Sequence, residues 1–168
     1  MKATISEQPA RLLAGFSFFG DPFRSHGGWS AENEIGRLWQ RWGEYWQAYG
    51  ATLLPATEPG VMYEFHVYSP ETLQTGEFEV FTGVEIAYTD GLPLEVVAKL
   101  LPAARYAIFT LSGEEIISDW EWQVDNVWLP ELGAHRRMTF SFQRYDARFK
   151  GMDRIAESEL DVYIPLLT

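Results

Sequence analysis

Cysteine is absent from all 168 residues. That excludes disulfides, thiolate nucleophiles and cysteine-based zinc sites. Histidine is scarce: His26, His66 and His135 stand far apart and form no HExxH or His-x-His pair, so neither a metal nor another cofactor is implied. Positive charge is also in short supply, with 13 Lys and Arg against 24 Asp and Glu and a net charge of −11. Repulsion from phosphates argues against direct nucleic-acid binding, which needs a basic stripe. The longest apolar run, Leu12 to Phe19, contains Ser17 and is too short to span a bilayer. Asp21-Pro22 follows it without a small-residue cleavage pattern, so the expectation is a cytoplasmic protein with no membrane contact. Gly15-Phe16-Ser17-Phe18-Phe19-Gly20 has the wrong spacing for a nucleophile elbow, and Gly27-Gly28 lacks the Lys-Ser/Thr of a phosphate loop.

Rings, by contrast, are plentiful: seven Trp, eight Tyr and eleven Phe. Such a surplus fits either a ring-rich core or the lining of a partly wet pocket. The chain also repeats its own layout. Pro9-Ala10-Arg11-Leu12-Leu13-Ala14-Gly15-Phe16 is answered by Pro102-Ala103-Ala104-Arg105-Tyr106-Ala107-Ile108-Phe109. Tyr63 to Tyr68 is answered by Phe140 to Tyr145, and Glu77 to Phe81 by Glu159 to Tyr163. Between them lie Trp-rich segments of helical period that end at Gly50 and Gly133. Two β-α-β-β units in one domain, about 1–90 and 91–168, predict an α+β fold. A curved antiparallel sheet would carry two main helices, with a ligand cleft at the seam between the halves.

Ser30 is the expected N-cap of the first helix, whose apolar stripe is Ile35, Leu38, Trp42, Tyr45 and Tyr49, with Trp39 and Trp46 widening it. The second helix is expected over Glu114 to Trp128, stopped by Pro130 and Gly133. Strands are expected at Ala10–Phe19, Val61–Tyr68, Phe78–Ala87, Leu94–Leu111 with a break near Pro102, Met138–Phe149 and Glu159–Leu167.

Period-two alternation puts Glu77, Glu79 and Phe81 on one face of their strand, and Glu159, Asp161 and Tyr163 on the matching face. Glu64, His66 and Tyr68 likewise correspond to Ser141, Gln143 and Tyr145. A sheet with one solvated face would read the same way. Rings such as Tyr68, Tyr145 and Tyr163 carry apolar area that exposure would waste. Grouped around an acid they would form an aromatic box for flat or quaternary cations. The candidate ligand-binding residues are therefore Trp39, His66, Tyr68, Glu79, Phe81, Trp120, Trp128, Gln143, Tyr145, Asp161 and Tyr163. For each Trp, ordinary core packing is the competing reading.

The arrangement resembles the gyrase-inhibitor-like (GyrI-like) family, the effector-binding domain of AraC-type and MerR-type regulators. The matching pieces are Pro9-Ala10-Arg11, Leu38-Trp39, Gly76 to Ile86, Leu101-Pro102-Ala103 with Tyr106 to Phe109, Trp128-Leu129-Pro130, Phe142 to Asp146 and Val162 to Pro165. The resemblance implies binding of small molecules, often lipophilic cations, by what reads as a stand-alone member. It also implies alternatives: hydrolysis of cyclopropane-bearing xenobiotics, or a protein partner such as gyrase or a transcription regulator. The family's acid in the penultimate strand is its counter-charge and its catalytic group, and here that position is Gln143. An amide donates and accepts hydrogen bonds but cannot ionise. Non-catalytic binding of an aromatic or lipophilic molecule is the leading expectation, and a cationic ligand would need Glu79, Glu64 or Asp161 in place of the missing acid.

Overall fold

The apolar run after Pro9 becomes a strand, β2 (Arg11–Gly20), because buried residues on both of its faces leave no solvated side for a helix to present. The computed structural model describes residues 2–50, 52, 54–136 and 140–167. Ahead of β2 lies a strand that the polar, weakly apolar opening of the chain concealed, β1 (Lys2–Gln8). Then follow helix α1 (Glu34–Tyr45), β3 (Met62–Val67), β4 (Phe78–Glu85), β5 (Val97–Leu101), β6 (Ala104–Ser112), helix α2 beginning with Trp120–Gln123, β7 (Phe140–Tyr145) and β8 (Glu159–Pro165). The expected break at Pro102 falls between β5 and β6. Each repeat unit therefore has four strands, one more than the sequence pattern suggested. Of the strand expected over Met138–Phe149, Met138 and Thr139 lie outside the described residues.

All eight strands form one antiparallel sheet in the order β1-β6-β8-β7-β3-β4-β2-β5. Replacing each strand by its repeat equivalent and reading from the other edge returns the same order, so the sheet has a pseudo-two-fold axis between β3 and β7. The edge strands are exchanged: β1 pairs with β6 of the second half, and β5 with β2 of the first. The ladders also shift one correspondence. Phe18 pairs with Val80, as Phe109 does with the equivalent Val162, so Phe18 rather than Phe16 is the structural counterpart of Phe109.

Asn33, not Ser30, caps α1: its side chain accepts from Gly36 N at 3.0 Å and donates to Gly28 O at 2.7 Å. Ser30 closes a local turn onto Glu32 N instead. The helix runs on through a π-helical turn, Trp46–Gly50. Gly50 is needed there for space, since a Cβ would come within 2.2 Å of the Trp46 indole. The second helix starts later than expected, with Asp119 accepting from Trp122 N. It then passes through a π-helical turn, Val124–Trp128, and a last turn, Leu129–Glu131. Pro130 does not stop it, because the preceding turn already bonds back five residues, from Leu129 N to Val124 O.

The sheet curls, giving three apolar clusters. One lies under α1 around Trp42, Phe16 and Val80, and one under α2 around Phe109, Trp120 and Val162. The third fills the inside of the curl with Tyr63, Phe65, Phe81, Tyr106, Phe142 and Tyr163. Trp39 and Met62 touch both helix-side clusters and so mark the seam. Among the described residues no helix is long and apolar enough to cross a membrane.

Candidate functional site

The two central strands meet at the pseudo-axis, and their register decides the chemistry of the seam. Glu64 on β3 stands directly opposite Gln143 on β7, and His66 opposite Ser141. All four side chains belong to the helix-side face and are buried, Glu64 to 2% exposure and His66 to 7%. The acid missing from position 143 thus has a substitute one strand away.

Glu64 is held by three donors. His66 Nε2 lies 2.8 Å from its Oε1 and Gln143 Nε2 2.9 Å from the same oxygen, while the Trp39 indole N–H from α1 donates to Oε2. Gln143 completes its amide by accepting from Tyr145 Oη at 2.8 Å. On the other side His66 Nδ1 is 3.1 Å from Tyr68 Oη, which donates to Glu121 Oε2 at 2.6 Å. Glu121 sits in the first turn of α2, where the helix dipole favours an acid. It also accepts from Ser141 at 3.3 Å and has Arg136 at 3.9 Å. One hydrogen-bonded chain therefore runs from Tyr145 through Gln143, Glu64, His66 and Tyr68 to Glu121.

Rings surround this chain. Trp39 meets Tyr145 edge-on at 5.0 Å, Tyr145 meets Phe149 at 4.9 Å, and Phe78 lies 5.3 Å from His66 and 5.0 Å from Tyr68. Burial by itself would lower the pKa of His66, but the hydrogen bond and field of Glu64, with the charge of Glu121, raise it above its ordinary value. Burial, with Glu121 adjoining, pushes Tyr68 well above the usual phenol range, and burial near Glu64 does the same to Tyr145. Thr82 on β4 is the neighbour of Glu64 across the other ladder, and its hydroxyl is buried with no partner among the described residues.

The eleven residues singled out from the sequence divide between the faces. Trp39, His66, Tyr68, Gln143 and Tyr145 come together in the seam. Trp120 and Trp128, on α2 itself, pack into the apolar cluster between that helix and the sheet, Trp128 against Phe109 at 5.2 Å. Glu79, Phe81, Asp161 and Tyr163 face the inside of the curl, away from the helices. There Glu79 is engaged by Ser17 and Lys99, both at 2.6 Å, and Asp161 by Thr110 at 2.8 Å and by Arg148. Tyr163 stacks on Phe142 at 4.4 Å, and Phe81 is fully buried. Sequence reasoning did not single out Ser141, Thr82 or Glu121, and it placed Glu64 only among substitutes. The hints were Glu64's place in the His66 alternation and the acid directly after Trp120. Among the described residues no cluster of His, Asp or Glu is arranged to hold a metal ion.

A buried carboxylate ringed by Trp, Tyr and His can hold a cation by charge and by ring faces together. Comparison with known proteins gives the chain a family and relatives of the same fold. The transcriptional regulator BrlR of Pseudomonas aeruginosa is 29% identical over 99% of this chain, and the chain spans only 56% of that relative's length. The structure of SAV2435 bound to tetraphenylphosphonium shares the fold, with a TM-score of 0.70 at 12% identity, over 99% of this chain and 94% of that one. A hydrolase from Listeria innocua shares it as well, with a TM-score of 0.54 at 10% identity over 99% and 92% of the two chains. The model of the integron-associated effector binding proteins, Cass2, matches residues 4–166. With that match spanning nearly its whole length, the chain belongs to the Cass2 family of integron-associated effector binding proteins and carries the GyrI-like effector-binding fold.

Proposed function

We propose that this chain binds a lipophilic cation, flat or quaternary, in the seam between α1 and α2, with Glu64 as the counter-charge. The observation that carries this is the burial of Glu64 among Trp39, His66 and Tyr145 at the pseudo-two-fold axis. A cation reaches the carboxylate by taking the place of the Trp39 N–H, leaving the indole and Tyr145 as ring walls. Gln143 then serves as a neutral prop that holds Glu64 in place. The role is binding rather than hydrolysis, because a carboxylate already accepting three hydrogen bonds has little free lone-pair capacity for activating water. A shared fold with a hydrolase does not transfer its chemistry. The likeness to a regulator suggests that occupancy is read by a transcription regulator, as a partner or as further chain.

Tetraphenylphosphonium is the probe, followed by quenching of tryptophan fluorescence. Glu64→Gln is expected to weaken binding by at least about tenfold, the loss of one desolvated charge contact. Glu79→Gln and Asp161→Asn, on the opposite face, should leave it unchanged. Equal affinity in Glu64→Gln and the wild type would overturn the assignment.

A further inference from the structure

The hydrogen bonds around His66 define its protonation state. Nε2 points at Glu64, a carboxylate that takes two further N–H donors, from Trp39 and Gln143. An ionised carboxylate only accepts, so Nε2 carries a hydrogen. Nδ1 faces Tyr68 Oη, whose single hydrogen goes to Glu121. The Tyr68 oxygen is therefore the acceptor and Nδ1 carries a hydrogen too. A ring that donates from both nitrogens is an imidazolium.

The surroundings agree from every side. On β3 the ring has Glu64, just past the end of β3 Tyr68, on β4 the tilted ring of Phe78, across the ladder on β7 Ser141, and from α2 the charge of Glu121. Among the described residues Arg136 pairs with Asp125 at 3.0 Å and stands 3.9 Å from Glu121.

We propose that His66 is the site's own counter-ion for Glu64, and that a permanently charged ligand displaces this charge and expels one proton through Tyr68 and Glu121. This deepens the function proposed above and rests on it. Before binding, imidazolium and carboxylate neutralise each other. When the cation arrives, Tyr68 passes its hydroxyl hydrogen to Glu121 and takes the hydrogen from Nδ1. Glu121, whose side chain is 33% exposed, gives the proton to water. His66 is left neutral, still donating from Nε2 to Glu64, and the net charge of the site is conserved. Specificity follows from this exchange. A permanent cation binds more tightly as pH rises, by about tenfold per unit while one proton is released per ligand. A neutral ligand leaves His66 charged and releases none.

Two measurements test this. In the wild-type chain without ligand, the ring-nitrogen NMR signals of His66 should report two protonated nitrogens at about pH 6, below the unperturbed histidine range. A neutral ring there overturns the proposal whatever the chain binds. Calorimetric titration with tetraphenylphosphonium in buffers of different ionisation enthalpy should show release of nearly one proton per cation at about pH 6, falling away as pH rises past the raised pKa of His66. His66→Gln should abolish the release and flatten the pH dependence of affinity. Tyr68→Phe, which removes the acceptor for Nδ1, should move the release curve to lower pH. Binding without proton release, or release that persists in His66→Gln, sinks the exchange alone. If the wild type does not bind tetraphenylphosphonium at all, the function proposal fails and the exchange falls with it.

Discussion

Glu64 and Gln143 face each other across one ladder, and that pairing sets what a change at either position does. Gln143→Glu would put a second carboxylate where an amide now donates to Glu64 at 2.9 Å. Two such groups cannot both ionise cheaply, so one must hold a proton or the fold loses stability. The expected outcome is a loss of about 1–3 kcal/mol at pH 8 that largely recovers near pH 5, read by urea unfolding at the two pH values. Tetraphenylphosphonium affinity should rise in the same variant, because the cation relieves the repulsion. A second titration belongs to Asp146, which the hydrogen bonds of Arg148, with the adjoining charge of Arg144 at 2.6 Å, hold down to about 2. Its folded pKa lies below its unfolded one, so its contribution is present above about pH 4 and disappears as pH falls through about 2. Asp146→Asn should cost about 2 kcal/mol at pH 7 and almost nothing at pH 2, checked by denaturant midpoints. Alternation along single strands grouped Glu64 with His66 and Tyr68, and Glu79 with Phe81, but left open which face of the sheet each group takes. It could not show that Glu64 meets Gln143, because cross-strand register is set by ladders that join distant parts of the chain.

Elements differ in how far their own residues determine them. The stripe of α1 is local, and its helix was legible; its cap was not, because Ser30 and Asn33 have equivalent capping chemistry and tertiary contact with Gly28 decides between them. Strand β1 was hidden because an edge strand with few large apolar residues shows little more than a polar segment does. Gly15 and Gly83 face each other across β2 and β4, where the two backbones leave no room for a side chain. A Cβ at Gly83 would sit 2.2 Å from Ala14 O, and one at Gly15 would sit 1.9 Å from Thr82 O. These are backbone atoms and cannot swing aside. Gly83→Ala should therefore destabilise by about 3 kcal/mol or more, the upper range for overpacking, since the strands must part. Gly43→Ala, where no atom lies within 4 Å of the added carbon, should be neutral or mildly stabilising. Urea midpoints of the pair would separate the two cases, and similar values would show that the strands accommodate a side chain at Gly83 after all.

At the scale of the whole molecule, duplication gives the scaffold and its breaking gives the site. Glu64 corresponds to Ser141 and His66 to Gln143, so the two central strands bring one carboxylate and one imidazole to the seam rather than two of each. A symmetric seam would set two acids against each other; the asymmetric one has a single charged seat and should bind one cation per chain. The repeat itself was legible, but the strand exchange was not, since nothing in β1 or β5 says which half it will join. The exchange means that neither half is complete alone: residues 1–90 leave β1 without its β6 partner and the edge of β2 open, and residues 91–168 leave β5 and β6 in the same position. Open apolar edges favour association over a stable fold. The two fragments, made separately, should each lack a cooperative urea transition and should not bind tetraphenylphosphonium. Mixed at equal concentration they should regain both properties, because Trp39, Glu64 and His66 come from one fragment and Gln143, Tyr145 and Glu121 from the other. Cooperative unfolding of the 1–90 fragment by itself would show that strand exchange decorates the halves rather than joining them, and binding by that fragment would place the whole seat on β3 and α1.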